Sequence, residues 1–149
     1  MFDVKLARTE EERDRAFTVR KAVFVEEQGV PVHLEIDEYD DTAFHFIVNE
    51  GDKTIAAARL REIAPQCGKV ERVSVLREHR GKRLGILIME AMEAYARNIP
   101  WKTLKLHAQS SAVPFYEKLG YKVTSPEFTN ANMPHRAMEK DIRQTEDKS

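Results

Sequence analysis

Apolar and polar positions change period several times along the chain, and each change marks an element. Phe2, Val4 and Leu6 alternate with polar neighbours, the period of a short half-buried strand. Thr9 followed by Glu12 is a T-x-x-E helix start. Ala16, Phe17, Val19, Val23 and Phe24 then carry a helical period to about Val25, and Gly29 and Pro31 stop it. The stretch PVHLEIDEYDD is less regular and leaves room for a second short helix. Residues 43–49 (AFHFIVN) and 53–60 (KTIAAARL) read as strands, and the turn Asn49-Glu50-Gly51-Asp52 makes them a hairpin.

The stretch KVERVSVLREHRGKRLGILIM, residues 69–89, organises the rest. Val70, Arg72 and Ser74 alternate with Glu71, Val73 and Val75, a strand of period two. From Leu84 the period becomes helical through Leu87, Ile88, Ala91 and Tyr95, and the helix runs to about Asn98 before Pro100. A strand over 103–108, a helix over 112–119 stopped by Gly120, and strands over 121–124 and 134–141 complete the pattern. The polar tail 143–149 is expected to fray. This order predicts a single α/β domain, 1–149, with a mixed sheet. A right-handed crossover through the long helix would make the 103–108 strand parallel to the 69–75 strand, with ligands bound at their C-terminal ends.

Composition narrows the function. A hydrophobic share of 42% with 33% charged residues reads as globular, and a net charge of −1 supplies no global field for nucleic acid. The absence of a long apolar run or signal core predicts no membrane partner and a cytoplasmic location. Cys67 is the only cysteine and reads as an ordinary surface residue. His33, His79 and His107 lack metal-ligand spacing, so no catalytic metal is expected. Charge is nevertheless split locally. Between Ala22 and Asp52 there are nine acids and no lysine or arginine, either a solvated acidic loop or a mouth that attracts an amine. Lys69, Arg72, Arg77, Arg80, Lys82 and Arg83 face only Glu71 and Glu78 in the later stretch.

The turn Arg80-Gly81-Lys82-Arg83-Leu84-Gly85 places two glycines and several cations at a helix start. Unpaired N–H groups there carry partial positive charge, which suits a phosphate. The P-loop and dinucleotide fingerprints are both absent.

This turn resembles motif A of the GNAT N-acetyltransferase superfamily, [QR]-x-x-G-x-[GA], with Arg80 first, Gly85 last, and Arg83 where glycine is usual. Gln109 to Tyr121 (QSSAVPFYEKLGY) resembles motif B, N-x-x-A-x-x-F-Y-x-K-x-G-[FY], with Gln109 in place of asparagine. The resemblance covers nearly the whole chain and points to small single-domain bacterial members. It implies a mostly antiparallel central sheet, helices on both faces, and strands splaying at the centre.

What the resemblance implies for the site is specific. Acetyl-CoA would be the cosubstrate, its pyrophosphate held by Arg80, Gly81, Lys82, Arg83, Gly85 and Ile86, and its pantetheine arm by Val73, Ser74, Val75 and Gln109. Tyr116 would face the thioester sulfur as acid and contribute to cofactor binding. His135, in Pro-His-x-x-Met, would face the acceptor amine, with Arg20, Phe24 and Gln28 lining its pocket. A base is needed because an alkylamine near ~10.4 is almost wholly protonated at pH 7, a cost of about 4.6 kcal/mol. An imidazole, ordinarily near ~6.5, is suited to that task. Glu71 is the rival base, directly or through water, although pairing with an arginine competes for it. The expected reaction is direct attack of a primary amine, on a small-molecule acceptor, at the thioester. A non-catalytic acyl-CoA sensor and a protein lysine or N-terminal acetyltransferase are the alternatives; acceptor identity, acyl preference and a homodimer stay open.

Overall fold

The computed structural model describes residues 1–143. The chain divides into two compact units, Met1–Arg61 with Glu71–Met92, and Glu62–Val70 with the chain from Glu93 onward. The strand β4 and the long helix α3 each contribute residues to both. The expectation for the tail falls, except for Arg143, outside the described residues.

In the first unit, β1 (Phe2–Leu6) leads into α1 (Glu10–Arg20). The Thr9 hydroxyl accepts from the Glu12 N–H at 3.1 Å, but the Glu12 carboxylate reaches back to the Arg8 N–H at 2.8 Å, one residue beyond a capping box. The predicted single helix is in fact two forms, because residues Lys21–Glu27 continue as a π-helix. The irregular stretch contains α2 (Val32–Glu35) and a 3₁₀ turn, Glu38–Asp41. Next come β2 (Phe44–Glu50), β3 (Lys53–Ala64) and β4 (Cys67–Val75), then a 3₁₀ turn Arg77–His79 and α3 (Leu84–Asn98). The strand order is β1-β2-β3-β4; β1 with β2 and β2 with β3 are antiparallel. Ala16, Val19, Ile47 and Ala57 form a buried cluster against which Leu76 packs, so the small alanines of β3 admit the face of α1.

Burial along α3 differs from its predicted face. Leu84, Ile88, Met89, Met92 and Ala96 are buried, whereas Leu87, Ala91 and Tyr95 are half-buried. The helix is apolar on most sides, so its period could not choose the face; packing did.

The second unit continues from β4 through β5 (Thr103–Gln109), α4 (Val113–Lys118), β6 (Lys122–Val123), β7 (Phe128–Asn130) and β8 (Met133–Asp141), in the order β4-β5-β8-β6 with β7 also on β8. β4 and β5 are parallel, as the crossover rule predicts, over four positions from Cys67↔Thr103 to Val70↔Leu106. β8 runs antiparallel to β5, β6 and β7. The sheet is therefore mixed and mostly antiparallel. The short β7 is not evident in the sequence, since its hairpin turns at Ala131 and Asn132, both at positive φ (51° and 64°), and alanine gives no signal for that geometry. Among the described residues no helix is long and apolar enough to cross a membrane.

Gly68 is required for packing. A Cβ there would lie 2.3 and 2.4 Å from two ring carbons of Trp101, which is buried. Gly68→Ala is expected to destabilise the protein by ~2 kcal/mol, seen as a lower urea midpoint, because the indole cannot withdraw. A midpoint equal to wild type would show that Trp101 has room to move.

Candidate functional site

In the first unit the end of β4 and the turn into α3 are built almost entirely from local backbone geometry. Ser74 is buried, its hydroxyl within 3.2 Å of the Ala57 and Arg72 carbonyls, and Val73 and Val75 are half-buried. The Leu76 N–H donates to the Ile55 carbonyl at 3.0 Å, and the Arg80 N–H to the Arg77 carbonyl at 3.3 Å. Gly81 then takes φ 82° and Arg83 φ 65°. None of the described residues accepts from the N–H groups of Gly81, Lys82, Arg83, Leu84, Gly85 or Ile86, and helical bonding resumes with Leu87 N–H to the Arg83 carbonyl at 3.1 Å. A Cβ placed on Gly81 would meet nothing within 4 Å, so the turn opens onto free space. Unpaired N–H groups around two left-handed residues at a helix start form a concave donor site for an anion.

Arg83, which departs from the family pattern in side chain, keeps the left-handed backbone a glycine would supply. That conformation costs a non-glycine residue about 1–2 kcal/mol. Lys82 leans back toward His79, Nζ to Nδ1 at 3.2 Å. The Arg80 side chain is fully engaged: Nε donates to the Val75 carbonyl at 3.0 Å, while Nη1 and Nη2 donate to the Glu27 carboxylate at 2.6 and 2.8 Å. The hydrogen bond from Arg80 holds the Glu27 carboxyl below its ordinary value.

Two residues with predicted site roles lie in an ionic network of the first unit. Arg20 is fully buried; its guanidinium donates to Glu35 Oε2 at 2.9 Å, to the Glu35 carbonyl at 2.9 Å, and to both Asp40 oxygens at 2.7 and 3.2 Å. Glu71 Oε1 accepts from Arg59 Nη2 at 2.7 Å and Nε at 3.0 Å, and from Arg61 Nε at 2.8 Å. The alternation of β4 places Glu71 and Arg72 on opposite faces, but Arg72 has φ 60°, which breaks the alternation. Arg72 consequently reaches Asp37 and the Glu35 carbonyl, in the same network that holds Arg59. The acidic segment is thus not a solvated loop throughout: four of its nine acids, Glu27, Glu35, Asp37 and Asp40, are paired with arginines. Phe24, within the π segment, is half-buried, and Gln28, immediately after it, is exposed.

In the second unit, α4 presents Tyr116, with Phe115 edge-on at 5.0 Å and Tyr121 edge-on at 6.0 Å. Burial pushes the Tyr116 phenol up to about 12. Its hydroxyl makes no hydrogen bond among the described residues, yet it is not one of the sealed unpaired polar atoms, which are Glu35 Oε1 and His45 Nδ1. Gln109, at the end of β5, is the register partner of His135 on β8. His135 is buried, with Nδ1 2.9 Å from the Met133 carbonyl. A carbonyl only accepts, so Nδ1 donates, and in the neutral tautomer Nε2 is then the atom with the lone pair; it has no partner among the described residues. Sequence reasoning missed Phe128. From β7 it stacks on His135 (centroids 6.1 Å, 24°) and meets His107 edge-on at 5.1 Å. A three-residue strand leaves no periodic signal to find it by.

Comparisons with known proteins place the chain in a family and its fold among known ones. A family model described as an acetyltransferase (GNAT) domain matches residues 8–142. The chain is 44% identical over 137 residues to the uncharacterized N-acetyltransferase YjcF of Bacillus subtilis (strain 168), covering 91% of this chain and 97% of that protein. A crystal structure of a candidate N-acetyltransferase from Lactobacillus plantarum superimposes with a TM-score of 0.90 at 27% identity over 95% of this chain and 98% of that one. An acyl-CoA N-acyltransferase from Pseudomonas aeruginosa shares the fold, with a TM-score of 0.83 at 23% identity over 94% and 98% of the two chains. A match over nearly the whole chain, with close relatives named for the same activity, makes this protein a member of the GNAT acetyltransferase family, an acyltransferase enzyme.

Proposed function

We propose that the protein transfers an acetyl group from acetyl-CoA to a primary amine on a small-molecule acceptor. The observation that carries this reading is the run of unaccepted N–H groups from Gly81 to Ile86, a donor set that fits a pyrophosphate. Gly81, Lys82, Arg83, Gly85 and Ile86 would hold that end through their N–H groups, with Arg80 fixing the start of the turn because its own N–H and its guanidinium already donate to Arg77, Val75 and Glu27, while Val73, Ser74, Val75 and Gln109 would hold the amide-rich arm by backbone and side-chain hydrogen bonds. When bound, acetyl-CoA supplies the acyl group activated as a thioester.

The chain's own residues handle the protons. His135 Nε2, left bare by the Nδ1 hydrogen bond to Met133, takes the proton from the acceptor amine. Tyr116 Oη keeps its proton at neutral pH, since its phenol is pushed up to about 12, and presents it toward the leaving sulfur. A thiol near ~8.5 is the stronger acid, so full transfer from this phenol would run uphill by about 5 kcal/mol. Tyr116 therefore acts as a hydrogen-bond donor that stabilises negative charge on sulfur. Glu71 already accepts from two guanidinium groups, which makes it a weaker candidate base than His135. Arg20 would support the acceptor side through Glu35 and Asp40, and the half-buried Phe24 and exposed Gln28 would line that side.

The test is acetyl-CoA consumption across a panel of polyamines, amino acids, aminoglycosides and a lysine peptide. Turnover of a small amine is expected. His135→Ala should lower kcat about 100-fold at pH 7, with KM for acetyl-CoA unchanged. Tight CoA binding with no turnover over the whole panel would instead mark a sensor, and turnover of the lysine peptide alone a protein acetyltransferase.

A further inference from the structure

Seven residues separate Arg20 from Glu27, close to two turns of an α-helix at 3.6 residues per turn. A regular helix would therefore set Glu27 on the face of Arg20, which is fully buried. The π-helix prevents this. Gln28 N–H donates to the Val23 carbonyl, an i to i−5 bond at 3.1 Å, and each such bond takes an extra residue into the turn. Glu27 is thereby rotated off the buried face and meets Arg80, 53 residues later, through two parallel hydrogen bonds of 2.6 and 2.8 Å. Arg77 Nη2 lies 3.5 Å from the same carboxylate. The third donor of Arg80, Nε, holds the Val75 carbonyl at the end of β4.

One guanidinium thus joins the π segment, which carries Phe24 and is capped by Gln28, to the last residue of β4 and the turn that presents the free N–H groups. The pair contributes little to overall stability, since the two side chains are 41% and 22% exposed and such pairs are worth up to ~1 kcal/mol. Its geometry has a different consequence. We infer that Glu27 is a positioning residue: through Arg80 it locks the acceptor-side π segment to the cofactor turn, so that filling the turn stiffens the π segment. This rests on the assignment of the turn as the coenzyme A site. A π-helix is a short, locally weak form, so the 21–30 amides open readily unless the segment is tied down.

Hydrogen exchange read by mass spectrometry with coenzyme A alone as ligand requires no acceptor and no turnover. In the wild-type chain, coenzyme A is expected to slow exchange at 81–86 and also at 21–30. In Glu27→Ala, slowing at 81–86 should persist and slowing at 21–30 should be lost. Glu27→Gln, of the same size, gives the same comparison if the alanine variant folds poorly. Slowing at 81–86 without any at 21–30 in the wild type, or slowing at 21–30 that survives both substitutions, overturns the inference. Absence of slowing at 81–86 in the wild type overturns the coenzyme A site itself, which is a separate failure.

Discussion

Tyr116→Phe is expected to lower kcat by about 100-fold while leaving the dissociation constant for CoA unchanged, measured by steady-state rates and by calorimetry on the same preparation. The substitution removes one oxygen and one proton and nothing else. Phe115 and Tyr121 would still meet the ring edge-on, so α4 keeps its packing. The hydroxyl has no hydrogen-bond partner among the described residues, so its loss orphans no other group. What disappears is a donor that burial keeps protonated, the phenol being pushed up to about 12. Removing one well-placed donor to developing negative charge typically costs 10²–10³ in rate, roughly 3 kcal/mol. A rate within twofold of wild type would remove Tyr116 from the mechanism. A parallel loss of CoA affinity would instead make it a binding or packing residue.

Asp40→Asn is expected to destabilise the fold by ~3–5 kcal/mol, seen as a large drop in the urea midpoint at pH 7. Asp40 Oδ1 accepts from Arg20 Nη1 at 2.7 Å and Arg59 Nη1 at 2.9 Å, and both arginines are almost wholly buried. Asparagine keeps the shape but withdraws the charge that lets two guanidinium groups share one oxygen in a region shielded from water. Desolvation alone would raise the Asp40 carboxyl, but the hydrogen bonds from Arg20, the Asp37 N–H and Arg59 outweigh it and hold the group well below the ordinary carboxylate value. The sign follows from that depression. Asp40 contributes its full stability above the unfolded value near ~3.9, and the contribution is lost as pH falls toward the folded one.

His45 adds an earlier loss. Burial lowers its pKa, although its contact with the Asp40 carbonyl, 2.9 Å from Nε2, works the other way. The unfolded chain therefore takes up a proton below about pH 6.5 before the folded one does, and stability declines from there. In Asp40→Asn the most acidic part of this decline should vanish while the part beginning near neutrality remains. A variant that loses less than ~1 kcal/mol would show that Glu35, Asp37 and Glu71 suffice to compensate the two guanidinium groups.

The network also shows why parts of the site could not be read from the chain. Nine acids without a lysine or arginine between Ala22 and Asp52 suggested free negative charge. Four of them, Glu27, Glu35, Asp37 and Asp40, pair with Arg20, Arg59, Arg72 and Arg80, which lie 15 to 53 residues away, so no local window contains both halves of such a pair. The expectation that Glu71 would pair with an arginine is met by Arg59 and Arg61. The opposite faces expected of Glu71 and Arg72 are undone by one positive φ, for which arginine gives no compositional cue. Phe128 and the π-helix were invisible for related reasons: three residues are too few for a period, and a change from i−4 to i−5 bonding leaves the apolar spacing almost unaltered.

By itself the sequence determined the order of the elements apart from β7 and the π-helix, the parallel crossover from β4 through α3 to β5, the two motifs, and the turn at Arg80 to Gly85. Each is written in spacing or in residues whose backbone preferences act over a few positions. Tertiary structure alone decided which face of α3 is buried, that Arg20 is an interior cation, that Arg83 adopts a glycine-like backbone, and that Glu27 holds Arg80. Those outcomes depend on which distant groups must share a region without water. Burial of a charge is tolerable only where an opposite charge arrives from elsewhere in the fold.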